Sequence, residues 1–130
     1  MRGGETGLRT GSVSLPALLA LDVPDHPAPF SISVASQAEH VALRPVGDLD
    51  LGTAEELVAR VGEFRRTGAD RVVIDLTGVR FLDSAGLRAL LALRNDAKRN
   101  GHRLALAPGP RQVQRVFELT ATRTLFDWTR

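Results

Sequence analysis

Cysteine and tyrosine are both absent from the 130 residues, and lysine occurs once, at Lys98. Without cysteine there is no disulfide framework, no thiol nucleophile and no thiolate metal site. Formal net charge is only +2, from 17 basic and 15 acidic residues. Almost nothing here loses a proton between neutral pH and the very high pKa of arginine, so a small surplus of Arg carries the isoelectric point far upward. A high isoelectric point is therefore no argument for a nucleic-acid partner. Long apolar runs are missing too. The stretch Val13 to Val23 is broken by Pro16 and Asp22 and falls short of the roughly 20 residues of a membrane helix. No membrane span is expected. Arg2 and Arg9 ahead of Leu15, Leu18, Leu19 and Leu21 have the outline of a signal peptide. Ser14, Pro16 and Asp22 disrupt it, and no convincing small-residue cleavage site follows. Gly, Ser and Pro are frequent over residues 1–29, ending in Pro24, Pro27 and Pro29. We expect a flexible N-terminal extension over residues 1–29 and one domain over residues 30–130.

What is present is the composition of a soluble globular domain, with 43% hydrophobic and 25% charged residues, large enough to bury one ordinary core. Phe30, Ile32 and Val34 alternate with small or polar residues, and Val41, Leu43 and Val46 continue the pattern after Gln37 to His40, which predicts a hairpin. Pro45 predicts irregularity near the end of its second strand. Thr53-Ala54-Glu55-Glu56 has the spacing of a capping box and predicts a helix beginning there. Ala54, Leu57, Val58, Val61 and Phe64 form its apolar stripe, and Gly68 suits its end. Arg71 to Leu76 reads as a short strand of the kind covered on both faces. Leu87, Leu90, Leu91 and Ala97 recur at helical spacing until Asn100-Gly101, and a strand from Leu104 to Ala107 follows. Pro110 can open a last helix, with Val113, Val116, Phe117 and Thr120 facing inward. Strands and helices alternating after a hairpin imply parallel crossovers and a mixed sheet.

Most catalytic chemistry is missing. His26, His40 and His102 lie far apart, without neighbouring ligands at metal spacing, so no metal site is expected. A nucleophile elbow would need Gly where Leu82 stands, two positions before Ser84. No Walker loop or dinucleotide fingerprint occurs, and Gly109 between Pro108 and Pro110 reads as a turn. We expect neither a catalytic residue nor a cofactor. Arg94, Lys98, Arg99, His102 and Arg103, with Arg111 and Arg115 further on, could form a basic patch. Several of them lie opposite the leucine stripe, where a solvated helix face needs charge, and no aromatic residues interleave with them. Direct nucleic-acid binding is not expected.

The informative segment is Phe81-Leu82-Asp83-Ser84-Ala85-Gly86-Leu87, which joins a buried strand to a helix and brings Ser84 to the carboxyl edge of the sheet. Asp83 or Ser84 would serve as an ordinary helix cap there. Gly47-Asp48-Leu49-Asp50 reads as a carboxylate-rich loop approaching the same edge, or as a turn whose Asp side chains bond their own backbone. From Phe30 to Trp128 the chain resembles the STAS domain family, in particular bacterial anti-sigma factor antagonists. The resemblance rests on Gly47-Asp48-Leu49-Asp50, Thr53-Ala54, Val73 to Val79, Phe81 to Leu87, Val116 to Thr120 and Leu125-Phe126.

That resemblance implies an α/β fold, a STAS-like mixed sheet of about four to five strands with helices packed mainly on one face. It also implies a cytoplasmic, non-enzymatic protein that works by partner switching. The unphosphorylated antagonist would bind an anti-sigma factor of the serine kinase type and free a sigma factor. Phosphorylation at Ser84 would reverse this until a phosphoserine phosphatase resets it. Asp50 matches a carboxylate that helps engage the kinase, and Asp83 precedes the acceptor. The expected partner-binding set is Asp48, Asp50, Thr53, Asp83, Ser84, Ala85, Gly86 and Leu87. The alternative is a structural STAS module without a kinase cycle, in a stress-signalling scaffold or a transport complex. Two departures stand out: Ala85 occupies a position where many relatives carry a second small polar residue, and Ala121 to Thr124 replace a Gly-containing turn.

Overall fold

The computed structural model describes residues 29–129, so the expected N-terminal extension, Pro29 apart, lies outside the described residues. The elements in order are β1 (Ser31–Gln37), β2 (His40–Leu49), α1 (Leu51–Arg66), β3 (Arg71–Asp75), β4 (Val79–Leu82), α2 (Ser84–Asn100), β5 (Arg103–Ala107), α3 (Arg111–Leu119) and β6 (Asp127–Trp128). Single 3-10 turns occupy Leu76–Gly78 and Arg123–Leu125. The sheet runs β1-β2-β3-β5-β6, with β4 paired to β2 off that path. Among the described residues only β1 and β2 are antiparallel; every other pair is parallel. The mixed α/β class is as expected, and the sheet counts six strands because β4 and β6, its two shortest, join it.

β3 and β4 share one side of β2. Val41 to Leu43 pair with Val72 to Ile74, whereas Gly47 to Leu49 pair with Val79 to Leu82. Between them the 3-10 turn offsets the chain, held by the Thr77 amide donating to Asp75 Oδ1 at 2.9 Å. β2 runs straight through Pro45, which is buried opposite Ile32. The irregularity expected at Pro45 falls instead as a register shift between Gly47 and Asp48, where Gly47 has φ +116°, open to glycine at little steric cost. This shift carries the end of β2 toward β4, the strand that leads into α2.

The core lies on one face of the sheet. Val41, Leu43, Leu49, Val72, Ile74, Leu104 and Leu106 meet Leu57, Val61, Leu87, Leu90, Val113 and Phe117 from the helices, all buried. Two residues expected inside are not. Val58 is 38% exposed, because it flanks the stripe rather than centring it. Thr120 is exposed at the end of α3, where its hydroxyl donates to the Val116 carbonyl oxygen. Among the described residues β3 is covered on one face only: Val72 and Ile74 are buried, whereas Val73 and its neighbours Ala42 and Ala105 stay partly exposed.

The chain beyond α3 folds back through a Schellman turn, in which the Ala121 amide donates to Glu118 and the Thr122 amide to Phe117. Ala121 takes the left-handed position that glycine usually fills, at φ 57°. The turn delivers Phe126 and Trp128 edge-on to Phe117, at centroid distances of 5.5 and 5.0 Å. The Trp128 indole N–H donates to the Arg123 carbonyl oxygen at 2.8 Å. A left-handed alanine costs roughly 1–2 kcal/mol, of which the greater unfolded-state freedom of glycine offsets about 0.4–1 kcal/mol. Ala121→Gly is therefore expected to raise unfolding stability by about 0.5–1 kcal/mol, read as a higher denaturant midpoint with an unchanged slope.

Candidate functional site

At the carboxyl edge of the sheet β2 and β4 end together, and each passes directly into a helix. The Asp83 amide donates to the Leu49 carbonyl oxygen at 3.3 Å, so Asp50 and Ser84, the next residue of each chain segment, leave the sheet side by side. What allows this approach is Gly86. A Cβ there would overlap the Leu49 carbonyl oxygen and stand 2.8 Å from Leu82 Cδ1. Only a residue without a side chain lets the first turn of α2 press onto the end of β2.

Both helices are capped by aspartate. Asp50 accepts from the Gly52 amide at 3.0 Å and from the Thr53 amide at 3.2 Å. Thr53 completes a reciprocal box, accepting from the Asp50 amide at 3.0 Å and donating to the Asp48 carbonyl oxygen at 2.7 Å. α1 thus begins at Leu51, earlier than the helix expected at Thr53: the box is formed by Asp50 with Thr53, because Thr53 stands at the third helical position. Asp83 caps α2, its Oδ1 accepting from the Gly86 amide at 2.9 Å. Gly47 to Leu49, expected as loop, form the last residues of β2. There Arg80 holds Asp48 in a two-pronged pair, Nε to Oδ1 at 3.0 Å and the second guanidinium nitrogen to Oδ2 at 3.1 Å. The hydrogen bond first, and the carboxylate charge second, keep the Arg80 guanidinium above its ordinary pKa.

This arrangement sorts the expected site residues by what they do. Ser84 is exposed at the first turn of α2, with Asp83 and Ala85 half-buried on either side. Gly86 and Leu87 are buried, so they build the ledge and present nothing to solvent. Thr53 is half-buried in the cap. The structure adds an apolar surface that the sequence pattern did not single out. Leu51 is 75% and Phe81 51% exposed, and a groove between α1 and α2 is lined by Leu51, Ala54, Glu55, Val58, Ala85 and Arg88. An apolar residue directly after the Asp50 cap is the one signal that could have pointed to Leu51. Phe81, unassigned in the sequence, pairs with Asp48 and so shares that carboxylate's side of the sheet, where it is exposed.

Among the described residues no three His, Asp or Glu side chains gather where they could hold a metal ion. No helix among them is long and apolar enough to cross a membrane. Lys98, Arg99 and Arg103 of the basic cluster are exposed, on the part of α2 and β5 away from Ser84.

The helix-capped edge thus exposes Ser84, Leu51 and Phe81, with Glu55, Arg80 and Arg88 among its exposed charged side chains. Residues 31–129 match the model of the STAS domain, and the chain belongs to that family. Solved structures share the fold. The anti-sigma factor antagonist SpoIIAA in its unphosphorylated form is 20% identical with a TM-score of 0.64, over 78% of this chain and 89% of that one. The Bacillus cell fate determinant SpoIIAA in the phosphorylated form is 17% identical, TM-score 0.59, over 78% and 92%. An anti-sigma factor antagonist from Mycobacterium paratuberculosis is 22% identical, TM-score 0.65, over 77% and 85%.

Because the Leu49 carbonyl oxygen is backbone, it cannot rotate away from an added methyl group. Gly86→Ala is expected to cost about 1–3 kcal/mol of stability, measured by urea unfolding, while Gly68→Ala, which meets no atom within 4 Å, suffers only from its left-handed φ.

Proposed function

We propose that this STAS domain is an anti-sigma factor antagonist, cytoplasmic and without catalysis of its own, whose Ser84 edge binds an anti-sigma factor of the serine kinase type. In this reading Ser84 is the residue phosphorylated by that partner, and a phosphoserine phosphatase restores the binding form. The observation that carries it is exposed Ser84 at the first turn of α2, on an edge that also exposes Leu51 and Phe81. The similarity in fold to SpoIIAA, itself known in unphosphorylated and phosphorylated forms, supports it. Asp50, Thr53 and Asp83 position the two helix starts; Asp48 with Arg80, Ala85 and the Leu51 groove offer the partner surface.

The electrostatics suit a switch that leaves the fold intact. Phosphoserine adds about −1.5 to −2 charges at neutral pH, and a helix N-terminus favours negative charge by roughly 0.3–1 kcal/mol. Arg80 already compensates Asp48, so the domain meets less like-charge repulsion than the three aspartates of the edge would suggest. The partner is affected differently. A surface packed on Leu51, Phe81 and a bare hydroxyl would have to accommodate a hydrated dianion among apolar contacts, which costs desolvation and leaves polar groups unpaired.

Pull-down with candidate anti-sigma kinases, followed by mass spectrometry of the ATP-treated complex, is expected to place one phosphate on Ser84 and none in Ser84→Ala. Ser84→Asp should weaken capture by about tenfold or more, a difference of about 1.4 kcal/mol, with the melting temperature nearly unchanged. Phosphate at another residue, or cooperative loss of the fold in Ser84→Asp, would count against the proposal.

A further inference from the structure

Ser84 opens α2, and Arg88 follows it one turn further along the same helix face. Both are exposed. Side chains at this spacing have their Cβ atoms about 5–6 Å apart, and every Cα–Cβ bond of a helix leans toward its N-terminus. A long side chain continues that lean over the preceding turn, so the Arg88 guanidinium can reach the serine oxygen. It is also uncommitted. The ion pairs among the described residues join Arg60 to Glu63, Arg80 to Asp48 and Arg99 to Asp96, and Arg88 takes part in none of them. Around Ser84 the other ionisable groups come from three directions. Asp83 precedes it and is spent on the Gly86 amide; Asp50 is spent on the start of α1, and Glu55 lies in α1 along the groove that Arg88 lines; Asp48 and Arg80, from β2 and β4, hold each other.

We propose that Arg88 is the positioning residue for the phosphate on Ser84, its guanidinium closing onto the phosphoserine in a two-pronged pair; this rests on Ser84 being the phosphorylated residue, as in the function proposed above. A negative group four residues before a positive one is the favourable order on a helix, because it also suits the helix dipole. Arginine is the right cation for it. Its planar fork matches two phosphate oxygens, and it keeps its charge at every relevant pH. The pair works against the carboxylates nearby. Asp50, Asp83 and Glu55 disfavour a dianion and push the second ionisation of the phosphate to higher pH, whereas a guanidinium in contact favours the dianion and pulls it to lower pH. Phosphorylation then alters the partner surface twice. It adds a charge at Ser84, and it draws Arg88 toward the helix start from the groove that it lines with Leu51 and Glu55.

Phosphoserine installed at position 84 during translation makes the test independent of any kinase. The full chain is titrated by phosphorus NMR at low ionic strength, and the ionisation constant of its phosphate is expected to be roughly twofold larger than in Arg88→Gln, as a surface pair at this spacing gives. Salt should shrink the difference. Arg88→Lys, which keeps the charge and loses the fork, should fall between the two. Arg99→Gln removes a cation from the far end of the same helix, where Arg99 pairs with Asp96, and should titrate with the unsubstituted chain. Equal midpoints with and without the Arg88 guanidinium overturn the proposal. So does an effect of Arg99→Gln as large as that of Arg88→Gln, since net charge and not contact would then be responsible. A pair seen by NMR in a chain whose Ser84 no kinase modifies would uphold the pair and refute the kinase partnership, so the two fail separately.

Discussion

A carbonyl oxygen at the end of one strand and the backbone of a helix's first turn meet where Leu49 faces Gly86, and the geometry of the edge that carries Asp50 and Ser84 depends on that meeting. β2 and β4 can end at the same height only if α2 starts without a side chain at its third residue. A methyl group there would overlap the Leu49 carbonyl oxygen, which as backbone cannot turn aside, so α2 would have to move outward. Asp50 and Ser84 would then part, and with them the two capped helix starts. The conformational freedom usually associated with glycine is beside the point at this position. What matters is the close approach.

Around this junction the charges are arranged so that each aspartate has a task. Asp50 and Asp83 accept backbone amides that the helix geometry leaves without partners, and Asp48 is matched by Arg80. The exposed groups at the edge include Ser84, Leu51 and Phe81, with Glu55 and Arg88 along the groove. In the proposed function such a surface would recognise a partner by fit, with Leu51 and Phe81 as anchors of the kind that contribute most when fully buried. A new charge there would act on the contact surface and not on the core beneath it.

The two faces of the sheet pose different problems. On the helix side the large side chains of Leu43, Ile74, Leu106 and Phe117 interlock, as a dense core requires. On the other side alternate positions hold small Ala and Val side chains together with Arg71, Arg103 and Asp127, which are exposed. One strand therefore carries two vocabularies in alternation. Val72 and Ile74 belong to the core; Arg71, Val73 and Asp75 belong to a surface.

The sequence by itself determined the class of fold, since the order of alternating strands and amphipathic helices is written in residue spacing, and the helix ends are written in Gly68 and Gly101. It also singled out Asp83-Ser84-Ala85-Gly86, on which the proposed function rests. It misplaced the start of α1, because Asp50-Leu51-Gly52-Thr53 and Thr53-Ala54-Glu55-Glu56 are both plausible caps locally, and only the hydrogen bond from Thr53 to Asp48 at the end of β2 selects the first. It left Val58 inside and Phe81 unassigned, because spacing identifies an apolar side chain but not whether a neighbour covers it. Only tertiary structure decided that Arg80 would reach Asp48, that β4 would pair beside β3 along β2, and that one face of the sheet would carry the helices. Those are contacts between residues distant in the chain, and local periodicity holds no information about which distant surface will fill the space in front of it.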